Sequence, residues 1–427
     1  MFLKYQNNAF SNMKTRVYYG EYTLQHWVKL MTTGNIELPA YQRSFVWEEG
    51  DVRRMLASLE SGQFIPPVTL AHYEDGGESR NLILDGQQRL TSILLAYLGY
   101  MPMKEKFNVS EDDYAIGDDS DDEPRLSPIE WTYKCLLLDK PNDNTLDEIE
   151  KRIRESGLYH ALEITFANGK KDFYEKTFLG FSFVIPSSSD SGETQRYFST
   201  LFRNMNYLGR KLSPLESRRS LYYLNADYKD FFDGKAGGKD VVCGMRILEN
   251  MQAKKIDFVR YLSTISQLLG SDDLKQVLRG YSAYSSRESY YADYVSYIVG
   301  LEQEDRKEKF NGFKIKELFP NHEWRDRFVI VQGFLMENKN KLGLEEKNNA
   351  FTSWIDVDYW LFGLLYWVVF QGKRINNTEM LIKEISEEIK LKRTPQPDND
   401  YSRNPNRVGN LRERIQRSID IFVKYAE

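Results

Sequence analysis

Apolar residues along this chain recur at two spacings. In residues 22–31 they fall at Leu24, Trp27, Val28 and Met31, the three-and-four rhythm of one helical face. Thr23 is placed to cap that helix and Gly34 to end it. Residues 48–61 repeat the rhythm with Val52, Met55, Leu56 and Leu59. Residues 36–38 form a short extended run before Pro39, and Pro66-Pro67 closes the second helical stretch. Residues 68–72 and 81–84 read as two short strands around Glu74-Asp75-Gly76-Gly77. Residues 90–98 then return to helix. Residues 1–20 read as an irregular lead-in.

Further along, residues 162–166 and 181–185 predict strands, with an Asn168-Gly169 turn after the first. Residues 186–192 (PSSSDSG) read as a loop. From Glu193 onward the pattern predicts helices broken at Gly270, Gly280, Gly300 and Gly343. The apolar run of residues 359–370 is about 12 residues long where a membrane span needs about 20, so it predicts a buried helix. Residues 393–407 are rich in Pro, Asn and Asp, and residues 408–425 predict a closing amphipathic helix. The glycine run of residues 234–238 is the most linker-like stretch. The expectation is an α+β fold, with a mixed domain over residues 1–230 and a mostly helical domain over residues 231–427.

Composition narrows the class. The chain has 427 residues, 41% hydrophobic and 28% charged, values of a globular protein able to bury a large core. Its net charge of −5 means that any nucleic-acid contact would need a local basic patch. Cys135 and Cys243 are the only cysteines, too few for a disulfide framework or a paired-cysteine zinc site. The first residues hold no apolar run suited to a signal peptide. A cytoplasmic protein without membrane attachment is expected. Residues 111–125 (EDDYAIGDDSDDEPR) are strongly acidic. They read as a solvated loop, with a divalent-ion site or an occupant of a basic groove as the sharper alternatives.

Three segments carry candidate chemistry. In the first, Pro39-Ala40-Tyr41-Gln42-Arg43-Ser44-Phe45-Val46-Trp47, Arg43 offers a planar fork for phosphate or carboxylate, or packs between aromatic rings. In the second, an apolar strand runs into Asp85-Gly86-Gln87-Gln88-Arg89-Leu90-Thr91. Entry into a helix here would place first-turn amides and the positive helix end beside a phosphate. Asp85 suits Mg²⁺ through water, or simple helix capping. In the third, residues 202–219, Ser213 and Glu216 have capping-box spacing with Pro214 between them. Capping leaves Asn206 and the basic residues from Arg203 to Arg219 unexplained.

Taken in order, Pro39-x-Tyr41-Gln42-Arg43-x-Phe45-x-Trp47, Asp85-Gly86-Gln87-Gln88-Arg89-Leu90-Thr91 and Phe202-x-x-x-Asn206-x-x-Gly209-x-x-Leu212-Ser213-x-x-Glu216 resemble the GmrSD N-terminal family. A weaker match is Asp257-x-x-x-Arg260. The resemblance implies a ParB-like fold in a bacterial anti-phage or modification-dependent restriction protein. It implies a nucleoside triphosphate site with Mg²⁺-dependent hydrolysis. On this reading Asp85, Gln87, Gln88 and Arg89 are catalytic, with Asp85 also the metal residue. Tyr41, Gln42, Arg43, Gly86, Thr91, Asn206 and Gly209 would bind the nucleotide. Longer relatives carry an HNH nuclease, which needs a His base with further metal ligands. The only histidines here are His26, His72, His160 and His322, so the expectation is a stand-alone member.

The functional expectation is an NTPase whose nucleotide state is coupled to binding of DNA or a partner, such as a separate effector nuclease or a second copy. A binding module without turnover and a nuclease acting from the ParB-like core are the alternatives. Near the C-terminus, Arg403, Arg407, Arg412 and Arg414 beside Tyr401 are the candidate DNA contacts. A solvated, ion-paired helix face reads the same arginines equally well.

Overall fold

The structure is a computed structural model that describes residues 16–39, 44–75, 78–107, 129, 131–186, 194, 197–198, 201, 214–223, 225–249, 252–271, 273–283, 286–300, 310, 315–395 and 401–427. The acidic stretch of residues 111–125 lies outside them. Helices and strands mix in an α+β fold. The chain divides into two compact units, one of Met1–Asp113 and Asp121–Leu212, the other of Tyr114–Ser120 and Ser213–Glu427.

The first unit contains β1 (Arg16–Thr23), α1 (Leu24–Thr32), α2 (Glu49–Glu60), β2 (Val68–Asp75), β3 (Glu78–Asp85), α3 (Gln87–Leu98), β4 (Tyr100–Pro102), α4 (Leu146–Ser156), β5 (Tyr159–Ala161), α5 (Lys170–Lys176) and β6 (Phe178–Ile185). Its main sheet has the order β1-β6-β2-β3. β6 runs antiparallel to β1 and parallel to β2, and β2 and β3 form an antiparallel hairpin. Thr23 caps α1 by accepting from the His26 amide at 3.2 Å. Leu24, Trp27, Val28 and Met31 are buried, as are Val52, Met55, Leu56 and Leu59 of α2.

Two sequence expectations change here. Residues 16–20 belong to β1 rather than to a lead-in. That strand is an exposed edge, so no apolar alternation marks it. Residues 162–166 are not a strand. The Leu162 amide still donates to the Gly99 carbonyl at 2.8 Å, but pairing ends with β5. The run is held by side chains instead: Leu162 and Phe166 are buried in the core.

α3 is buried almost all round: Leu90, Ile93, Leu94, Leu95 and Leu98 are covered, and so are Gln87, Gln88, Thr91 and Ser92. A helix without a solvated stripe belongs to the middle of a domain. The elements on each side, and the Tyr174 hydroxyl donating to the Ile93 carbonyl at 3.0 Å, hold it there.

The second unit contains α6 (Pro214–Tyr222), α7 (Ala226–Phe232), β7 (Lys235–Ala236), β8 (Lys239–Asp240), β9 (Arg246–Glu249), β10 (Gln252–Lys255), α8 (Phe258–Ser271), α9 (Arg287–Ile298), α10 (Ile315–Leu318), α11 (Trp324–Asn338), β11 (Ala350–Phe351), α12 (Trp354–Leu364), α13 (Thr378–Arg393) and α14 (Val408–Phe422). Short strands thus stand among the helices, where the sequence pattern predicts helices broken only by glycines. The glycine run of residues 234–238 closes the β7–β8 hairpin, with Gly237 and Gly238 both left-handed, the geometry of a two-residue turn. α12 continues as a π-helical segment, Leu365–Phe370. Buried Arg260, Asp358 and Arg414 join α8, α12 and α14. Asp358 accepts from Arg260 Nη2 at 2.7 Å, Arg414 Nη2 at 2.8 Å and the Tyr261 hydroxyl at 2.8 Å.

Candidate functional site

β3 ends at Asp85 and α3 begins at Gln87, so Gly86 alone makes the turn. Its φ of 95° is left-handed, a region that L side chains avoid. A Cβ there would lie 3.0 Å from Val68 Cγ2 and 3.3 Å from Val68 Cα. Glycine is therefore required twice, by the turn and by the approach of β2. The strand register shifts between Thr69 and Leu70, opposite Asp85, the kind of irregularity that re-aims a strand end. Gly86 caps the helix with its carbonyl, accepting from the Leu90 amide at 2.9 Å, and as a glycine it brings no capping side chain. First-turn amides of a helix have no carbonyl four residues back. They carry the positive end of the helix dipole.

Most side chains of this turn have work within the chain. Arg89 donates to Asp85 Oδ2 at 2.5 Å and to the Pro67 carbonyl at 3.4 Å, and also bonds the Pro66 carbonyl. Its side chain is 12% exposed, against 53% for Asp85, so Asp85 is the solvent-facing partner of the pair. Gln88 is buried. Its Oε1 accepts from the Val46 amide at 3.0 Å and its Nε2 donates to the Ser44 carbonyl at 3.1 Å. Gln87 is buried one residue earlier. Thr91 is fully buried, and its hydroxyl has no hydrogen-bond partner.

Tyr41, Gln42 and Arg43 lie outside the described residues, but both flanks are anchored. Lys134 Nζ donates to the Leu38 carbonyl at 2.6 Å, and the Tyr133 hydroxyl donates to the Ile36 carbonyl at 3.3 Å. Burial raises the Tyr133 phenol well above its usual range, with Glu37 adding to the effect. On the other flank, the Phe45 amide donates to the Trp131 carbonyl at 2.8 Å, and the two rings meet edge to face. The backbone leading into and out of the Tyr-Gln-Arg block is thus fixed, and its later flank is tied to α3.

Among the described residues no group of three His, Cys, Asp or Glu side chains is arranged to hold a metal, at Asp85 or elsewhere. Mg²⁺ keeps several waters and takes one or two carboxylates beside phosphate oxygens. One half-exposed Asp beside a helix start fits that demand only together with a phosphate ligand.

The third motif divides differently. Asn206, Gly209 and Ser213 lie outside the described residues. In the second unit Arg218 of α6 is buried and bonds Asp257 at 2.5 Å, with Glu288 of α9 at 3.7 Å. Burial raises the Glu288 carboxyl against the pull of Arg218. Asp257 and Arg260, the weak extension of the motif, therefore sit at the start of α8 with one partner on α6 and another on α12.

The candidate DNA arginines also separate. Arg414 is fully buried on Asp358, so it is a core ion and not a phosphate contact. The sequence pattern hides this because its helix is amphipathic and the arginine lies on the inner face. Arg412 donates to the Val277 and Lys275 carbonyls. Arg403 and Arg407 are exposed. Sequence reasoning did not pick out the partner of Arg414. The signal was there, in two aspartates, Asp356 and Asp358, inside an otherwise apolar helix.

Residues 24–223 match the family model described as GmrSD restriction endonuclease, N-terminal domain. That segment is similar to a GmrSD N-terminal domain. The GmrSD segment opens at the first residue of α1, includes the whole Asp85–Thr91 turn and ends just after α6. A further similarity is to the uncharacterized protein MJ0686 of Methanocaldococcus jannaschii, 28% identical over 247 residues. That match covers 46% of this chain and 40% of the relative, so the chain spans well under half of the relative's length. No solved structure matches the chain. Among the described residues no helix is long and apolar enough to cross a membrane.

Proposed function

We propose that the Asp85–Thr91 turn binds the phosphates of a nucleoside triphosphate, with Mg²⁺, in a ParB-like domain of a restriction-type defence protein. One observation carries the reading: a 12-residue helix starts at a left-handed glycine, which brings no side chain of its own to the helix start. A bare Cα at the positive end of a helix lets a phosphate approach the first-turn amides. The partnerless Thr91 hydroxyl, one turn in, adds an unspent polar group to the same helix start.

Asp85 is the residue placed to meet a water of the metal ion, being the exposed member of its pair. Mg²⁺ would supply charge neutralisation between phosphate oxygens. Arg89 would hold the Pro66-Pro67 turn and lend Asp85 its charge. Arg43 is the cation proposed for phosphate contact. Hydrolysis would need a water oriented at the terminal phosphate. A second reading, binding without turnover, is favoured by Gln88, whose amide is spent on backbone groups. Coupling to DNA through the second unit would rest on Arg403 and Arg407. It would be seen as binding that weakens steeply with salt.

The test is equilibrium binding of, and phosphate release from, ATP, GTP, CTP and UTP with Mg²⁺, for wild type and Asp85→Asn. Saturable binding with turnover that Asp85→Asn abolishes supports hydrolysis. Binding without turnover supports the second reading. No binding of any of the four rejects the phosphate cradle.

A further inference from the structure

Gln88 occupies the second position of α3, where a side chain would be expected to face the nucleotide. It does not have the atoms to spare. Its Oε1 and Nε2 are spent on the Val46 amide and the Ser44 carbonyl. These two groups belong to alternate residues of one stretch, so a single side-chain amide holds that backbone at two points. The residue between them faces the other way: the Phe45 amide donates to the Trp131 carbonyl, and its buried ring packs on Trp131. The backbone groups Ser44 C=O, Phe45 N–H and Val46 N–H are therefore all tied down, two of them by one side chain.

We infer that Gln88 is a positioning residue, which locks the Ser44–Val46 backbone against the first turn of α3 and does not itself touch the nucleotide. This rests on the phosphate site proposed above. The lock sets how far that backbone stands from the helix start, and hence the width of the opening in which a triphosphate would lie. A buried amide is suited to the task because it supplies one donor and one acceptor in a fixed plane. Leaving the two backbone groups unpaired is unfavourable, which keeps the lock closed.

Two variants separate this role from catalysis. Gln88→Met keeps length and apolar volume but loses both bonds, and Gln88→Glu keeps the acceptor for Val46. Hydrogen exchange of the peptide containing Val46, without nucleotide, should speed up roughly tenfold in Gln88→Met and less in Gln88→Glu. The Kd for each of Mg-ATP, Mg-GTP, Mg-CTP and Mg-UTP that wild type binds should rise roughly tenfold in Gln88→Met, about 1.4 kcal/mol. Any turnover at saturation should stay within about twofold of wild type, because the reacting groups are untouched. Unchanged exchange at Val46 would overturn the lock. A fall in turnover with Kd unchanged would make Gln88 a catalytic residue and overturn the positioning role. Should wild type bind none of the four nucleotides, the function proposed above fails and the positioning role falls with it, while the exchange measurement still decides whether the lock exists. If Gln88→Met does not fold, Gln88→Glu carries the same comparisons.

Discussion

Replacing Asp358 with Asn should unravel the second unit at mild denaturant. The carboxylate is fully buried and serves two buried cations: Arg260 through Nε at 3.3 Å and Nη2 at 2.7 Å, and Arg414 through Nε at 3.0 Å and Nη2 at 2.8 Å. An asparagine of the same shape removes the charge and turns an amide donor toward guanidinium donors. Both arginines would then be buried without a counter-ion, although Arg414 retains the Pro405 carbonyl and Arg260 the Trp354 ring. Breaking a buried pair this way costs about 3–5 kcal/mol. With a urea slope of about 1–3 kcal/mol per molar, the unfolding midpoint of this unit should fall by roughly 1–5 M. Replacing all three ions together, as Arg260→Met, Asp358→Leu and Arg414→Met, should recover most of the loss, because apolar packing replaces the triad without desolvating a charge. A loss under about 1 kcal/mol for Asp358→Asn, where an unpaired buried charge should cost several, would refute the reasoning. So would a triple variant no more stable than the single one. Acid should act in the same direction. Burial alone would raise the Asp358 carboxyl, but Arg260 and Arg414 outweigh it and hold the group below its usual value. Its contribution is therefore full above about pH 4 and is lost as pH falls through the lower folded value.

Two other outcomes are expected. Gly86→Ala should cost about 2–4 kcal/mol, combining a left-handed alanine with overpacking against Val68; thermal unfolding checks this, and a Tm unchanged from wild type would mean that the turn relaxes freely. Asp356 behaves oppositely to Asp358. Burial pushes its carboxyl up to about 6, against the opposing pull of Arg393 at 2.8 Å, so its contribution is full below about pH 4 and lost as pH rises through about 6. Asp356→Asn should flatten the stability profile across that window, and a profile as steep as wild type in denaturant melts at successive pH values would count against it.

The helices and the β2–β3 hairpin were legible because burial writes a period into the sequence. Val52, Met55, Leu56 and Leu59 predict α2 by spacing alone, and the Asp85-Gly86 junction predicts a strand-to-helix turn because only glycine serves there. β1 was illegible since an exposed edge strand such as Tyr18-Tyr19-Gly20 has no inner face to mark. The residues of the second motif were found by type and order, but their duties were not. Nothing in Gln-Gln-Arg says that Gln88 will spend its amide on Ser44 and Val46, or Arg89 its guanidinium on Pro66 and Pro67. Those partners are set by tertiary placement, tens of residues away. The same holds for Arg414, which composition assigns to the surface and the helix face assigns to the core.

The sheet order β1-β6-β2-β3 has a consequence for how the first unit comes to exist. β6 fills a central position, yet it is the last of the four strands to be synthesised. Until Phe178–Ile185 has emerged, β1 has no partner and β2 offers one bare edge. The ties from α1, the Leu24 amide to the Thr177 carbonyl and Trp27 Nε1 to the Leu179 carbonyl, must wait as well. The β2–β3 hairpin and α3 can form locally, but the scaffold that fixes them closes only across a long stretch of chain. Such non-local pairing is slow, and the exposed strand edge invites association while it lasts. A nascent chain would therefore present the Asp85–Thr91 turn well before it presents the finished domain.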